Sequence, residues 1–207
     1  MKQDDSLITG SDDLRRCWWC GSDPLYIQYH DQQWGFPVDD DRKLFEKICL
    51  EGFQAGLSWW TILRKRESFR EAFAGFDFEQ VATFTSRHVD QRVQQPAIVR
   101  HRGKIESTIN NAQQAIALVE EFGSLAAYFW QYEPKRKSPP KTRQQIVAST
   151  PESTAMSKDL KRRGWSFIGP TTCYAFMQAM GLVNDHLKSC CRYETAKLAR
   201  DAFTVPR

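Results

Sequence analysis

Long apolar runs are missing from this 207-residue chain; nothing in it approaches the roughly 20 residues a membrane span requires. The opening residues, MKQDDSLITGSDD, are polar and acidic, without the cationic lead or the apolar stretch of a signal peptide. A cytoplasmic protein with no membrane partner is therefore expected. Strand-like alternation never runs for long, and no internal repeat organises the chain. In a reducing compartment the six cysteines do not read as a disulfide framework, so each is core filler, a reactive thiol or a metal ligand.

What is present suits a globular core. With 41% hydrophobic and 13% aromatic residues, the chain reads as one domain, built as a unit or as two intimate lobes. A net charge of +4 permits binding to a polyanion without establishing it. Helical spacing recurs at Ile105, Ile109, Ala112, Ile116 and Val119, and again at Leu44, Ile48 and Glu51, so the fold reads as all-α. Helix starts are marked by Asp39-Asp40-Asp41, by Ser58 before Trp59 and by Thr150-Pro151-Glu152, and stops by Gly123 and Gly164. Residues 132–149, with a basic run and a double proline, read as an exposed loop. Residues 1–14 are expected to form a disordered extension, 15–192 the domain, and 193–207 a tail.

Three constellations carry chemistry. Cys17 and His30 near the start, with His186 and Cys190 at i, i+4 near the end, supply two thiolates and two imidazoles. That is a sensible zinc set which would staple the termini together, with the later pair meeting on a helical face. Spacing alone does not single out this quartet, since Cys20 and Cys191 compete for it. Five of the seven tryptophans lie between Cys17 and Trp60, together with Tyr26 and Tyr29, as a stacking pocket or an aromatic core would require. On the apolar stripe there, Glu51 needs a partner. An Arg, a backbone N–H or a Trp N–H would serve, and so would a flat cationic base held by hydrogen bonds and cation–π attraction. Finally, residues 160–186, LKRRGWSFIGPTTCYAFMQAMGLVNDH, read as helix, hairpin, helix. Gly169 would bring backbone close to a phosphate, with Thr171 and Thr172 capping the second helix.

These pieces stand together and in order with Asp23-Pro24-Leu25-Tyr26-Ile27, Tyr29-His30-Asp31, Trp34-Gly35, CLEGFQAGLSW from Cys49 to Trp59, RHRGKI from Arg100 to Ile105, and GLVNDH from Gly181 to His186. Over about residues 16–191 the sequence resembles the DNA-3-methyladenine glycosylase I family. The resemblance implies a helix-hairpin-helix DNA glycosylase fold, with one structural Zn2+ on Cys17, His30, His186 and Cys190. It implies that Glu51, Tyr29 and Trp59 contact the excised base, that Trp19, Tyr26 and Trp34 line the same chamber, and that Gln54, Gly56 and Leu57 plug the duplex. Gly169, Thr171 and Thr172 would meet the DNA backbone.

The implied reaction is hydrolysis of the N-glycosidic bond of 3-methyladenine in alkylated double-stranded DNA. It would release the free base from a flipped nucleotide, without a lysine nucleophile or strand cleavage, in a monomeric enzyme. Glu51 is expected to act by electrostatic recognition of the cationic base, while Arg100, Arg102, Lys104, Lys161, Arg162 and Arg163 hold the backbone. Asp185 is either a catalytic carboxylate or the group that orients His186, the second being preferred. Two other classes compete: a non-catalytic zinc-stabilised DNA-binding module, which leaves Glu51 and the aromatic cluster unexplained, and a helical interaction protein without DNA affinity.

Overall fold

The computed structural model describes residues 6–135 and 138–207. Eleven α-helices among the described residues enclose one large apolar core, with a short hairpin at the start. Helix α1 runs Pro24–Gln32. The central element is α2, Asp41–Gln54, which starts where Asp40 accepts the backbone N–H of Lys43. All residues from Leu44 to Phe53 are buried, because α2 is enclosed by other helices instead of lying on the surface.

Those neighbours are α3, Trp59–Arg64, α7, Arg102–Phe122, α8, Leu125–Trp130, and α10, Pro170–Ala179. Full burial removes water as a partner for the polar residues of α2, so each must find one in the protein. Glu46 does so through Arg66 at 2.5 Å and Arg70 at 3.0 Å, both on α4, Arg66–Ala72. Helices α5, Phe78–Ala82, and α6, Ser86–Val93, pack on α7. Helix α9, Pro151–Arg162, packs on α10.

The local start signals act as expected: Ser58 caps α3, Thr150 caps α9 with Pro151 in the first turn, and Gly123 ends α7 in the left-handed region. One expectation fails, because Gly169, not a threonine, is the N-cap of α10 and no side chain caps it. A further difference lies at the start of the chain. Residues 1–5 lie outside the described residues, but strand β1, Leu7–Thr9, pairs antiparallel with β2, Arg15–Cys17, setting Leu7 opposite Cys17.

Three-residue strands are too short for alternation to register in sequence. What orders them is tertiary: Arg143 donates its backbone N–H to the Ser6 hydroxyl, and Cys191 donates its own to the carbonyl of Arg15. The tail likewise carries helix α11, Tyr193–Ala202, docked through buried Ala196 and an Arg200–Glu133 pair at 2.5 Å. No helix among the described residues is long and apolar enough to cross a membrane.

The loop after α10 closes against the segment joining α1 to α2. Gly181 sits at φ +78°, where an added Cβ would lie 2.4 Å from the Phe36 carbonyl carbon and the Pro37 nitrogen. Strain and a backbone clash act together there, so Gly181→Ala is expected to cost about 3 kcal/mol, measured by urea unfolding. A loss under 1 kcal/mol would mean that this closure is not tight.

Candidate active site and metal cluster

Three separate segments bring Cys17, His30, His186 and Cys190 together, with their ligand atoms all within 4.8 Å of one another. Cys17 ends β2, His30 lies in α1, and the other two come from the turns after α10. The expected helical face for His186 and Cys190 is absent. Residues 184–192 form turns instead, with Cys190 donating its backbone N–H to the Leu187 carbonyl at 2.8 Å.

Each histidine commits one ring nitrogen outside the cluster: His30 Nδ1 to the Asp31 carboxylate at 2.7 Å, and His186 Nε2 to the Trp34 carbonyl at 2.9 Å. Both partners only accept, so these nitrogens carry the protons. The lone pairs of His30 Nε2 and His186 Nδ1 then face the sulfurs. Cys190 Sγ stands 3.5 Å from the first and 3.6 Å from the second, and Cys17 Sγ 3.9 Å from the second. Cys190 is held below the usual thiol range by Cys17 and both imidazoles, while Cys190 and burial push Cys17 up.

Cys20 donates to the Gly21 carbonyl and the Cys191 backbone joins β2, and neither belongs to the set of converging ligand atoms. Asp185, preferred from the sequence as the group orienting His186, instead accepts from the Tyr174 hydroxyl and from Gln178 Nε2, each at 2.7 Å. The carboxylate that orients a cluster histidine is Asp31, itself held by Arg16 at 2.9 Å and Arg192 at 3.1 Å.

Beside this cluster lies a cavity of about 220 Å³, below the size of pockets for drug-like ligands and suited to one flat heterocycle. Trp19, Tyr26, Tyr29, Trp34, Glu51 and Trp59 line it. Trp19 joins the two sites, its ring centroid 5.1 Å from that of His30 and 4.8 Å from that of Trp34. Burial raises the Tyr29 hydroxyl well above its ordinary range, and Glu51 adds to the effect; Tyr26 rises to about 12 for the same first reason.

The partner of Glu51 is Lys47, one turn earlier on α2, with Nζ 2.7 Å from Oε1. Lys47 also donates to the Tyr29 hydroxyl at 2.8 Å, and its ammonium lies 3.2 Å from the centroid of the Trp59 ring. Burial pushes its pKa down to about 8, an effect that Glu51 offsets only in part.

Gln54 at the end of α2 completes the wall, and the chain leaves the cavity through Ala55, Gly56 and exposed Leu57. Lys104 holds this exit by donating to the carbonyls of Phe53 at 2.8 Å and Ala55 at 2.5 Å. Opposite, Ala175 and Gln178 of α10 form part of the wall, so the helix that begins at Gly169 ends at the cavity.

A family model, that of the methyladenine glycosylases, matches residues 19–193. The chain belongs to that family. DNA-3-methyladenine glycosylase 1 of Escherichia coli strain K12 is 47% identical over 182 residues, which is 87% of this chain and 97% of that protein. DNA-3-methyladenine glycosylase of Haemophilus influenzae is 49% identical over 178 residues, covering 84% and 96%. Among solved structures, a crystal structure of 3-methyladenine DNA glycosylase I superposes with a TM-score of 0.81 at 47% identity, covering 85% of this chain and 98% of that one. A variant 3-methyladenine DNA glycosylase I in complex with 3-methyladenine superposes with a TM-score of 0.79 at 38% identity, covering 82% and 92%.

In this methyladenine glycosylase the fold assembles the four proposed metal ligands, and it gathers Glu51, Tyr29, Trp59, Trp19, Tyr26 and Trp34 around one cavity. Gly169, Thr171 and Thr172 stand apart, at the far end of α10. Of the six cations nominated for the DNA backbone, four are engaged internally: Lys104 as above, Arg102 with Asp90, Arg163 with Glu121 and Asp159, and Arg162 with Asp159. Lys47 was missed. Its signal was present, since it lies four residues before Glu51 on one helix face, the spacing of a helical ion pair.

Proposed function

We propose that the protein is a monofunctional, monomeric DNA-3-methyladenine glycosylase I of the cytoplasm, acting in base-excision repair. It hydrolyses the N-glycosidic bond of 3-methyladenine in alkylated double-stranded DNA, releases the free base and leaves an abasic site. Residues 15–192 act as one helix-hairpin-helix glycosylase domain. The observation that carries this reading is a buried carboxylate, Glu51, on the wall of a small cavity faced mainly by aromatic rings.

N3-alkylated adenine on its sugar is a flat cation with N–H donors. Glu51 accepts those donors and opposes the charge, and the faces of Trp59 and Tyr29 stack on the ring. As the bond breaks, the base leaves neutral, so no general acid is needed before departure. Water then adds to the sugar carbon. Flipping costs a few kcal/mol, reduced where alkylation has already weakened pairing and stacking. Gln54, Gly56 and Leu57 stand where the cavity opens and would fill the gap left in the duplex.

Cys17, His30, His186 and Cys190 would hold one structural zinc. Two thiolates and two imidazoles are its usual closed donor set. Bonds of about 2.3 Å to sulfur and 2.0 Å to nitrogen, meeting at tetrahedral angles, set S and N about 3.5 Å apart, against the 3.5–3.9 Å found here. The oriented histidine protons fit a liganded state as well. When bound, the ion ties β2 and α1 to the segment after α10; it takes no part in the reaction.

At the N-terminus of α10 the glycine is not demanded by the fold. Gly169 has an ordinary negative φ, and an added Cβ would meet nothing nearer than the Thr172 hydroxyl at 3.9 Å. Its bare backbone therefore suits an outside partner, a DNA phosphate at the N–H groups of the first turn. Gly169→Ala is expected to cost no more than about 1 kcal/mol of stability, the loss of a favoured N-cap residue, while weakening duplex binding several-fold in fluorescence anisotropy. Unchanged binding would remove this end of α10 from the interface.

The reading is tested by incubating the protein with methylated duplex DNA and separating any released base by chromatography. Free 3-methyladenine is expected. Folded protein that binds the duplex and releases no base would favour the DNA-binding module instead.

A further inference from the structure

We infer that Lys47 is a positioning residue that sets the charge preference of the base cavity: as an ammonium it offsets part of the charge of Glu51 and weakens the cavity's preference for a cationic base, and without its proton it leaves that preference at full strength. This rests on the reading of the cavity as the base pocket. Three contacts converge on one atom. Lys47 Nζ is 2.7 Å from Glu51 Oε1, 2.8 Å from the Tyr29 hydroxyl and 3.2 Å from the Trp59 ring centroid.

Carboxylate, hydroxyl and aromatic face are the groups that would attract a cationic base, and in this chain a resident cation already engages all three. Lys47 stands behind the cavity wall and is not among the residues lining it. It therefore leaves space for a ligand while offsetting part of the charge that would hold it. A bound cation and the ammonium both lie beside one carboxylate in a medium of low dielectric, so each weakens the other's hold.

The charged groups around Lys47 leave it as the one that changes state near neutrality. On α2 these are Glu51 and Glu46, and Glu46 is tied to Arg66 and Arg70 of α4. On α1 they are Tyr29 and Tyr26, whose hydroxyls burial keeps far above neutral pH. α3 contributes Trp59, which carries no charge. Burial brings Lys47 down to about 8. Raising the pH through that value strips the ammonium and exposes the full charge of Glu51, so cation affinity rises. By linkage, a cation that binds below this pH expels a proton.

The test compares two probes by titration calorimetry from pH 7 to pH 9.5. One is 3-methyladenine, uncharged in this range, and the other is 3,9-dimethyladeninium, cationic throughout. The affinity ratio of cation to neutral base is expected to rise with pH by up to about tenfold, the limit that one titration near 8 sets over this range. At pH 7.5 the cation should release protons to the buffer. Lys47→Met is expected to hold a high, pH-independent ratio, and a purely structural role for Lys47 would lower both affinities alike.

A flat ratio in the wild type, with the neutral probe still bound, overturns the inference and leaves the base pocket standing. Binding of neither probe overturns the pocket reading and the inference with it. Should Lys47→Met fail to fold, the wild-type ratio and proton count decide the matter alone.

Discussion

Glu51→Gln is expected to slow release of 3-methyladenine by about 10²- to 10³-fold, the usual cost of removing one oriented electrostatic group from a water-poor site. The same change should destabilise the protein, because it leaves Lys47 buried without its counter-ion. Breaking one side of a buried pair costs about 3–5 kcal/mol. The loss here should fall at the low end, since Lys47, already at about 8, can shed its proton. Adding Lys47→Met to Glu51→Gln is expected to restore the melting temperature without restoring activity.

That dissociation separates the observed role of the carboxylate as counter-ion within α2 from its proposed role as recognition group in the cavity. Single-turnover base release and thermal melts of the three variants would measure it. A Glu51→Gln enzyme with near wild-type release would remove the carboxylate from the reaction.

Loss of the proposed zinc is expected to have the largest effect on stability. Structural zinc contributes about 10–16 kcal/mol in small zinc domains, and the cluster here joins segments more than 150 positions apart in sequence, as the separation of Cys17 and His186 illustrates. The core in this larger chain shares the burden, so stripping the metal or making Cys190→Ala should lower the melting temperature by about 10 °C or more. Elemental analysis should find one zinc per chain in the intact protein and none in the stripped one. Metal-free protein with an unchanged melting temperature would show that the four residues pack as ordinary core.

Trp19 packs on His30 and Trp34 packs on His186, and both line the cavity, so a disturbed cluster should reach the cavity through these two rings. Activity lost on metal removal is thus expected to precede global unfolding, and adding zinc back should recover both.

Much was legible from short stretches of sequence. Asp40, Ser58 and Thr150 each accept a backbone N–H three residues on, so their effect is local and readable. The spacing of Leu44, Ile48 and Glu51 put a carboxylate on a buried face, and the ordered motifs joined that carboxylate to an aromatic chamber. By itself the sequence determined the helical class and the family, and through that resemblance it nominated the four cluster residues and the main wall of the cavity.

Tertiary structure decided the rest. The hairpin at Leu7–Cys17 orders through partners at Arg143 and Cys191, beyond the reach of any local pattern. Asp31, not Asp185, aligns a cluster histidine, and Lys104 anchors the cavity exit instead of reaching outward. Lys47 lies on a helix buried on every side, where its periodicity does not reveal which neighbour receives its charge. In each case the decisive partner is remote in sequence or set by all-round burial. Chain closure and desolvation choose such partners, and both act only once the helices have packed.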